Sequence, residues 1–252
     1  MYLFYISLKN SFVYRYSMFF SCLGSILVIY INILLWKSLY KENTEMIQYM
    51  IRYTIMSNII AMIYTPGISD SIGGKVSSGA FVIDLLRPIN IFAMSWQTEL
   101  AKTVSKFIVQ GLPVAIIFIP LLYRGVYSNI LLVLLALILG HILLVLIYAL
   151  IGFLAFAIIE IWPLKLLIED TIRLFAGSFL PIAILPGFLK SIATVLPFRF
   201  LYSFPLELLF AKVQGNSILI NYLILLAWIC VFIVLNFIVY KMALRKAVVQ
   251  GG

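Results

Sequence analysis

The sequence contains little charge. Only 11% of its 252 residues are charged, whereas 64% are hydrophobic. A water-soluble domain of this length would not have enough polar side chains to cover so much apolar surface. The scarcity of charge therefore predicts a protein whose solvent is largely lipid.

Residues that carry catalytic or metal chemistry are also scarce. His141 is the single histidine, whereas zinc sites need several ligands. Cys22 and Cys230 both lie inside apolar runs, which argues against a disulfide framework. Gly74 and Lys75 are followed by Val76, so they do not complete a phosphate-binding loop, and no G-x-S-x-G elbow is present. We expect no catalytic, metal or cofactor site here, and any ATP to be handled by another chain.

The net charge is +9. No basic cluster carries the interleaved aromatic residues that stack on single-stranded nucleic acid. The basic residues instead lie mainly between apolar runs, which favours anionic lipid head groups as their partner. We therefore expect membrane lipid, and no nucleic acid, as a partner.

Six apolar runs are candidates for crossing a bilayer, because a spanning helix needs about 20 such residues. The sequence thus predicts an all-α membrane protein with six transmembrane helices. More Lys and Arg fall on the inner side if both termini are cytoplasmic, as the positive-inside rule requires. The predicted spans are Met18–Trp36, Met46–Tyr64, Val104–Tyr123, Asn129–Ile159, Leu164–Leu180 and Ile218–Tyr240.

Two further segments are predicted to lie at the membrane surfaces. Residues 1–16 combine aromatic and basic side chains, as in a helix that lies in the inner interface. Residues 181–212 are apolar but rich in proline, and backbone groups freed by proline cannot face lipid. We expect short helices that dip into the outer interface. The alternative is a seventh span, which would place the C-terminus on the other side.

Charges inside the fifth predicted span are unusual. Arg173 follows Glu169 by four residues and Asp170 by three, so all three side chains share one face of a helix. Unpaired charges in lipid are costly, and we expect these to face the bundle or inner water. Two interpretations remain open, structural pairing and a gating or partner-facing role. For His141 we expect a helix-to-helix hydrogen bond inside the bundle.

Residues 70–88 form the one long polar stretch, and we expect them on the inner side. Gly73, Gly74 and Gly79 would allow sharp backbone turns. Residues 80–86 read as a short, mostly apolar helix that ends before Pro88. The segment is either an ordinary interfacial loop or a segment that binds a cytosolic partner.

Two stretches resemble the permease subunits of type-2 ABC exporters, especially a six-span bacterial branch. The first is residues 79–88, GAFVIDLLRP. It is similar to the pattern of that branch, in which a glycine, a spacer and Leu-Leu-Arg-Pro follow span two. The second, residues 154–208, contains in order FAIIEIW, AGSFLPIAILPGFLKSIATVLPF and YSFPLELL. With the predicted spans, the likeness covers nearly the whole chain.

The resemblance implies a half-transporter in a bacterial cell membrane. Two permeases would pair, as a homodimer or with a paralogous permease, above two cytosolic ABC ATPases that bind ATP and Mg²⁺. Residues 70–88 would supply the coupling helix, in which Phe81, Val82 and Leu85 give affinity and charged residues give register. The coupling residues would be Asp70, Lys75, Gly79, Phe81, Val82, Asp84, Leu85, Arg87 and Pro88. Outer re-entrant helices would contain Pro181, Pro186, Pro197, Phe198 and Pro205.

Three other functions compete with this hypothesis. An ion channel or passive pore would need a ring of charges or carbonyls, and the sequence has no periodic intramembrane charge. An intramembrane enzyme is weakened by the single histidine. A membrane anchor for another complex would lack the re-entrant segment. The aromatic and aliphatic composition of the predicted helices favours amphipathic, lipid-like, peptide or drug-like cargo.

Overall fold

The computed structural model describes residues 15–64, 67–81, 91–122, 130–158 and 160–250, together with residues 5, 6 and 9. Within these ranges the chain is helical and contains no β-strand. The α-helices are α1 (Arg15–Leu39), α2 (Thr44–Ile63), α3 (Ile68–Ser77), α4 (Ile91–Lys106), α5 (Leu112–Leu122), α6 (Ile130–Leu154), α7 (Trp162–Phe175), α8 (Gly187–Val195), α9 (Ser203–Leu209) and α10 (Asn216–Gln250). The all-α membrane fold predicted from the sequence is confirmed at this level.

Helices α1 and α2 form an antiparallel hairpin. Asn43 caps α2, because its side-chain oxygen accepts a hydrogen bond of 3.0 Å from the backbone N–H of Met46. The indole of Trp36 donates a buried 2.8 Å hydrogen bond to the hydroxyl of Thr54. This cross-link and the apolar contacts around Ile29 and Ile55 hold the two helices together.

Helices α4 and α5 are joined by a π-helical turn, Phe107–Gly111. The turn lies just before Pro113, which cannot donate a backbone hydrogen bond, so the wider turn accommodates the missing donor. Gly111 is needed there because a Cβ atom would lie 2.7 Å from the ring of Phe107. The kink predicted at Pro113 therefore takes the form of a π-turn.

Helix α6 is the centre of the bundle and packs against α10, α3 and α9. Its sequence is apolar on every side, which suits a helix surrounded by other helices. Asn236 of α10 donates a buried 2.9 Å hydrogen bond to the carbonyl of Leu146, and Tyr222 donates to the carbonyl of Leu132. These bonds fix α10 along the length of α6.

Four helical stretches in the described part of the chain are long and apolar enough to cross a bilayer. They correspond to the first, third, fourth and sixth predicted spans. The second predicted span forms α2, which has the length but carries Gln48 and Arg52. The four stretches are Phe19–Leu39, Met94–Leu122, Ile130–Leu154 and Asn216–Met242. The count of six spans stays a prediction.

The fifth predicted span is shorter than the sequence indicated. Helix α7 has 14 residues and ends at Phe175, not at Leu180. At about 1.5 Å per residue it covers about 21 Å, less than the hydrocarbon core of about 30 Å. Gly177 has φ +79°, a left-handed conformation that ends the helix. The hydroxyls of Tyr53 and Ser57 then donate to the carbonyls of Gly177 and Ser178.

The segment of residues 181–212 folds into short helices instead of one continuous helix. Two 3₁₀ turns, Ile182–Ile184 and Pro197–Phe200, alternate with α8 and α9. Pro181, Pro186 and Pro197 each stand at the start of one of these elements, where a missing N–H is tolerated. The placement of this segment at the outer membrane face stays a prediction. The interfacial helix predicted for residues 1–16 lies mostly outside the described residues.

Candidate functional site

Helix α3, the described part of the predicted coupling segment, packs closely on the last turns of α6. A Cβ atom at Gly152 would lie 2.9 Å from the Cβ of Ile72 and 3.3 Å from the Cα of Ser69. Ile68 and Ile72 are fully buried at this contact. A glycine in α6 therefore lets the two helix backbones approach, as small residues do between membrane helices.

The same helix also packs against the connection between α6 and α7. A Cβ atom at Gly73 would collide with the end of the Ile161 side chain, so any larger residue there would force that side chain to move. Gly73 and Gly74 lie inside α3, which corrects our expectation that they form sharp turns. Only Gly79 of the three has a positive φ, +72°, and it follows the end of the helix. The turn is therefore restricted to Gly79.

Phe81, which we predicted as an apolar contact for a partner, is buried within the chain itself. Its side chain is 1% exposed and packs edge-to-face on Phe156, with ring centroids 4.8 Å apart. An aromatic ring at the end of an apolar cluster is buried because it removes a large apolar area from water. In this structure Phe81 anchors the segment to the bundle and is not an exposed contact for a partner.

These contacts define one structural unit, which we call the α3–α6 junction: α3, the last turns of α6, Phe81 and Phe156. Its core is apolar and close-packed, and close-packed interiors transmit displacement instead of absorbing it. A force applied to α3 would therefore reach α6, the helix at the centre of the bundle.

One side of the α3–α6 junction is open. A cleft of about 730 Å³ lies between α3 and the connection 155–162. Gly74 and Ser77 contribute to it from α3, and the exposed side chains of Ile158 and Trp162 contribute from the other wall. Asp70 and Glu160 add acidic side chains to the lining of the cleft.

Asp70 joins α3 to α7. Its carboxylate is exposed and lies 2.6 Å from the Nζ of Lys165, which also lies 3.8 Å from Glu169. The sequence analysis missed Lys165 because Asp70 is 95 residues away in the chain. Lys75 is half-buried on the same helix. The predicted site residues Val82, Asp84, Leu85, Arg87 and Pro88 lie outside the described residues.

The predicted intramembrane charges are brought together on α7. Arg173 pairs with Asp170 at 3.4 Å, one turn apart, and both side chains are exposed. Glu169 is 20% exposed and lines a pocket together with Tyr148 of α6, whereas Asp170 is 71% exposed. Glu169 and Arg173 line one small pocket, whereas the side chain of Asp170 is largely exposed.

Most of the predicted re-entrant residues in the proline-rich segment are buried. Pro181, Pro197, Phe198 and Pro205 are buried, whereas Pro186 is exposed at the start of α8. Glu207 accepts a 2.6 Å hydrogen bond from Ser203 and lies 3.3 Å from Arg199. An internal ion pair and buried prolines hold the segment together.

A buried carboxylate that the sequence analysis did not single out lies beside Gly67, the residue before α3. Glu99 is 0% exposed and its Oε1 lies 2.8 Å from the Nζ of Lys102. A Cβ atom at Gly67 would lie 2.8 Å from both carboxylate oxygens. The described residues contain no group of three or more His, Cys, Asp or Glu that could hold a metal ion.

Comparison with known proteins identifies the family. The model of the ABC-2 family transporter protein matches residues 25–251 of this chain. Because the match covers most of the sequence, the chain belongs to the ABC-2 transporter family, and the resemblance found in the sequence is confirmed. A search of curated proteins finds no match. The chain is therefore a multi-pass transport permease, a membrane subunit that is not itself an ATPase, and membership of the family implies association with an ABC ATPase subunit.

Proposed function

We propose that this chain is the membrane subunit of an ATP-driven exporter and that residues 70–88 couple it to the ATPase. ATP would close a pair of ATPases, and a rigid element would convert that closure into rocking of the helices. ATP and Mg²⁺ would be bound by the ATPases and not by this chain. The cargo would be amphipathic, lipid-like, peptide or drug-like.

The observation that supports this proposal is the construction of the α3–α6 junction. Its inner face is close-packed against the central helix through Gly152, Ile72 and Phe81. Its other face is an open cleft beside an exposed carboxylate, Asp70. A coupling element must meet both requirements, since it binds a partner on one side and moves the bundle on the other.

The assembly that we propose has two permeases and two ATPases in a bacterial cell membrane. The second permease is a copy of this chain or a paralogue. Both termini would face the cytoplasm, so that α3 and the cleft beside it meet the ATPase. Residues 181–212 would cap the exit path on the outer side.

A bulky side chain in the cleft tests the coupling proposal. Nothing lies within 4 Å of a Cβ atom at Gly74, so Gly74→Trp adds volume to the cleft without disturbing the interior. Gly187→Trp is the matched control, because Gly187 also has nothing within 4 Å and lies at the start of α8. We expect Gly74→Trp to reduce by about tenfold the ATP hydrolysis that copurifies with the tagged permease, since each 1.4 kcal/mol of lost affinity is tenfold.

Equal ATP hydrolysis in the two tryptophan variants would contradict the proposal. A passive pore is the alternative, and it would give conductance in liposomes that contain the permease but no ATPase. Both variants must give the same yield and the same size-exclusion profile for the comparison to hold.

A further inference from the structure

Helix α7 carries two opposite charges on its exposed face. The side chains of Asp170 and Arg173 are 71% and 72% exposed and lie 3.4 Å apart. Two leucines continue the same surface, since Leu167 is 62% exposed and Leu174 is 52% exposed. Leu167, Asp170 and Leu174 follow one another at intervals of three and four residues, which is the spacing of a seam between two packed helices. We call these four residues the α7 seam.

Two distances place the α7 seam deep in the membrane. Arg173 lines the same small pocket as Leu144 of α6, which is a candidate membrane span. Leu144 precedes the end of α6 at Leu154 by about 15 Å, at about 1.5 Å per residue. Arg173 follows Trp162, whose exposed side chain at the start of α7 suits the membrane interface, by about 16.5 Å of helix. Both distances are about half of the hydrocarbon thickness of about 30 Å.

Lipid is an unfavourable neighbour for the α7 seam. Charged side chains at this depth are costly in lipid and normally face protein or water. The contact with Asp170 does not remove this cost, because it involves one nitrogen of the Arg173 guanidinium, which carries five N–H donors. Helix α10 shows the contrast, since its exposed side chains between Leu219 and Ile238 are all apolar. The exposed face of α7 is therefore expected to be covered by something other than lipid.

We propose that a second copy of this chain covers the α7 seam, with Asp170 of each copy paired with Arg173 of the other. A two-fold axis along the membrane normal brings the same helix of both copies together at the same depth, so the interface is self-complementary. The two residues differ in height by about 4.5 Å of helix, which an arginine side chain can span. The proposal rests on the proposed transport function in one respect, since it names the face through which the two permeases pair.

Charge complementarity favours a second copy over a water-filled surface. Each α7 seam carries one acid and one base, so two seams form a neutral group of four charges, in which each guanidinium can bind the carboxylates of both copies. Polar side chains that bond across helices are a common feature of interfaces within membranes. Leu167 and Leu174 lie on either side of the charges along the helix. A water-filled surface has no need of these apolar side chains, whereas a helix-to-helix seam uses them to exclude solvent.

Disulfide cross-linking of the full-length permease without its ATPase tests the proposal. The chain would have Cys22 and Cys230 changed to serine. Leu167→Cys places a thiol in the α7 seam, and Val234→Cys places one on the exposed face of α10. The two positions have similar exposure, 62% and 56%, so the second one measures random collisions in the bilayer. With copper phenanthroline in native membranes, we expect about tenfold more covalent dimer from Leu167→Cys, since a specific contact holds the two thiols together.

Charge-reversal variants separate pairing between copies from pairing within one helix. Asp170→Arg gives the seam two positive charges and Arg173→Asp gives it two negative charges, so like charges meet in each homodimer. We expect the cross-linking of Leu167→Cys to fall about tenfold in either variant, because like charges that face each other oppose association. When the two variants are expressed together with different tags, opposite charges meet across the interface, although each helix carries only like charges. We expect this mixed dimer to cross-link to within about twofold of the unchanged seam.

Equal cross-linking of Leu167→Cys and Val234→Cys would overturn the proposal, as would a mixed dimer that forms no better than the two homodimers. Labelling of Leu167→Cys by a water-soluble maleimide, without cross-linked dimer, would show that the seam faces water and would overturn it as well. If the charge-reversal variants do not give folded protein, the comparison of the two cysteine positions decides, because it keeps both charges. Since these measurements use no ATPase, they are independent of the coupling test. A cross-linked dimer without coupled ATP hydrolysis would retain the seam and reject the coupling, and coupled hydrolysis without the dimer would do the reverse.

Discussion

The α3–α6 junction and helix α7 are neighbours that are held in place by different kinds of interaction. The junction is held by apolar contacts and by glycines that permit close approach, and Ile68, Ile72 and Phe81 are almost completely buried. Helix α7 has one buried side chain, Ile172, and its other contacts include ion pairs on partly exposed faces. Close-packed contacts resist displacement, whereas exposed ion pairs contribute little free energy. We infer that the junction transmits motion and that α7 can adjust to it.

The largest effect is expected from Phe81→Ala, which tests whether the α3–α6 junction transmits motion. Removing a buried phenylalanine costs about 3–5 kcal/mol in soluble cores, through lost burial and a residual cavity. We expect a lower midpoint of thermal unfolding in detergent and weaker coupling of ATP hydrolysis to transport, with normal membrane insertion. Unchanged coupling in a variant with a lower midpoint would show that the contact between Phe81 and Phe156 is irrelevant to transmission.

A smaller loss is expected from Gly152→Leu, which overfills the α3–α6 junction. The new side chain has no room beside Ile72, and overpacking costs about 1–3 kcal/mol. Gly24→Leu in α1 is the control, because nothing lies within 4 Å of a Cβ atom there. Thermal unfolding followed by size-exclusion chromatography should separate the two variants, and identical midpoints would contradict the close contact between α3 and α6.

The smallest effect is expected from ion-pair variants on α7, which test how that helix is joined to α3. Lys165→Met removes the 2.6 Å contact with Asp70, and exposed ion pairs are worth about 0.2–1 kcal/mol. Arg173→Met removes a pair that lies within α7 alone. We expect hydrogen–deuterium exchange of residues 68–77 to be faster in Lys165→Met and unchanged in Arg173→Met. The same exchange rate in both variants would mean that Asp70 and Lys165 do not tie α3 to α7.

The position and length of the long apolar runs could be predicted from the sequence. Four runs of this kind form the helices that are able to cross a membrane, because apolar composition over 20 residues depends on no distant contact. The end of α7 could not be predicted, because it depends on the left-handed conformation of Gly177 and on hydrogen bonds from α2. Local composition indicated a span to Leu180, and tertiary contacts ended the helix earlier.

The candidate site was predictable as a segment and not as a set of contacts. The polar, glycine-bearing composition of residues 70–88 indicated a special surface. The burial of Phe81 against Phe156 and the pairing of Asp70 with Lys165 join residues far apart in the chain. The contact of Glu99 with Gly67 has the same origin. No spacing rule within one helix could have revealed any of these contacts.

The central claim is that α3 faces the cytoplasm and contacts the ATPase, and cysteine labelling tests it most directly. The labelling would use a chain with Cys22 and Cys230 changed to serine. Ser77→Cys then places a thiol at an exposed position of α3, and Ser191→Cys places one at an exposed position of α8. An impermeant maleimide should label Ser77→Cys only in inside-out vesicles, with protection by bound ATPase, and Ser191→Cys only in intact cells. Labelling of Ser77→Cys in intact cells would contradict the account.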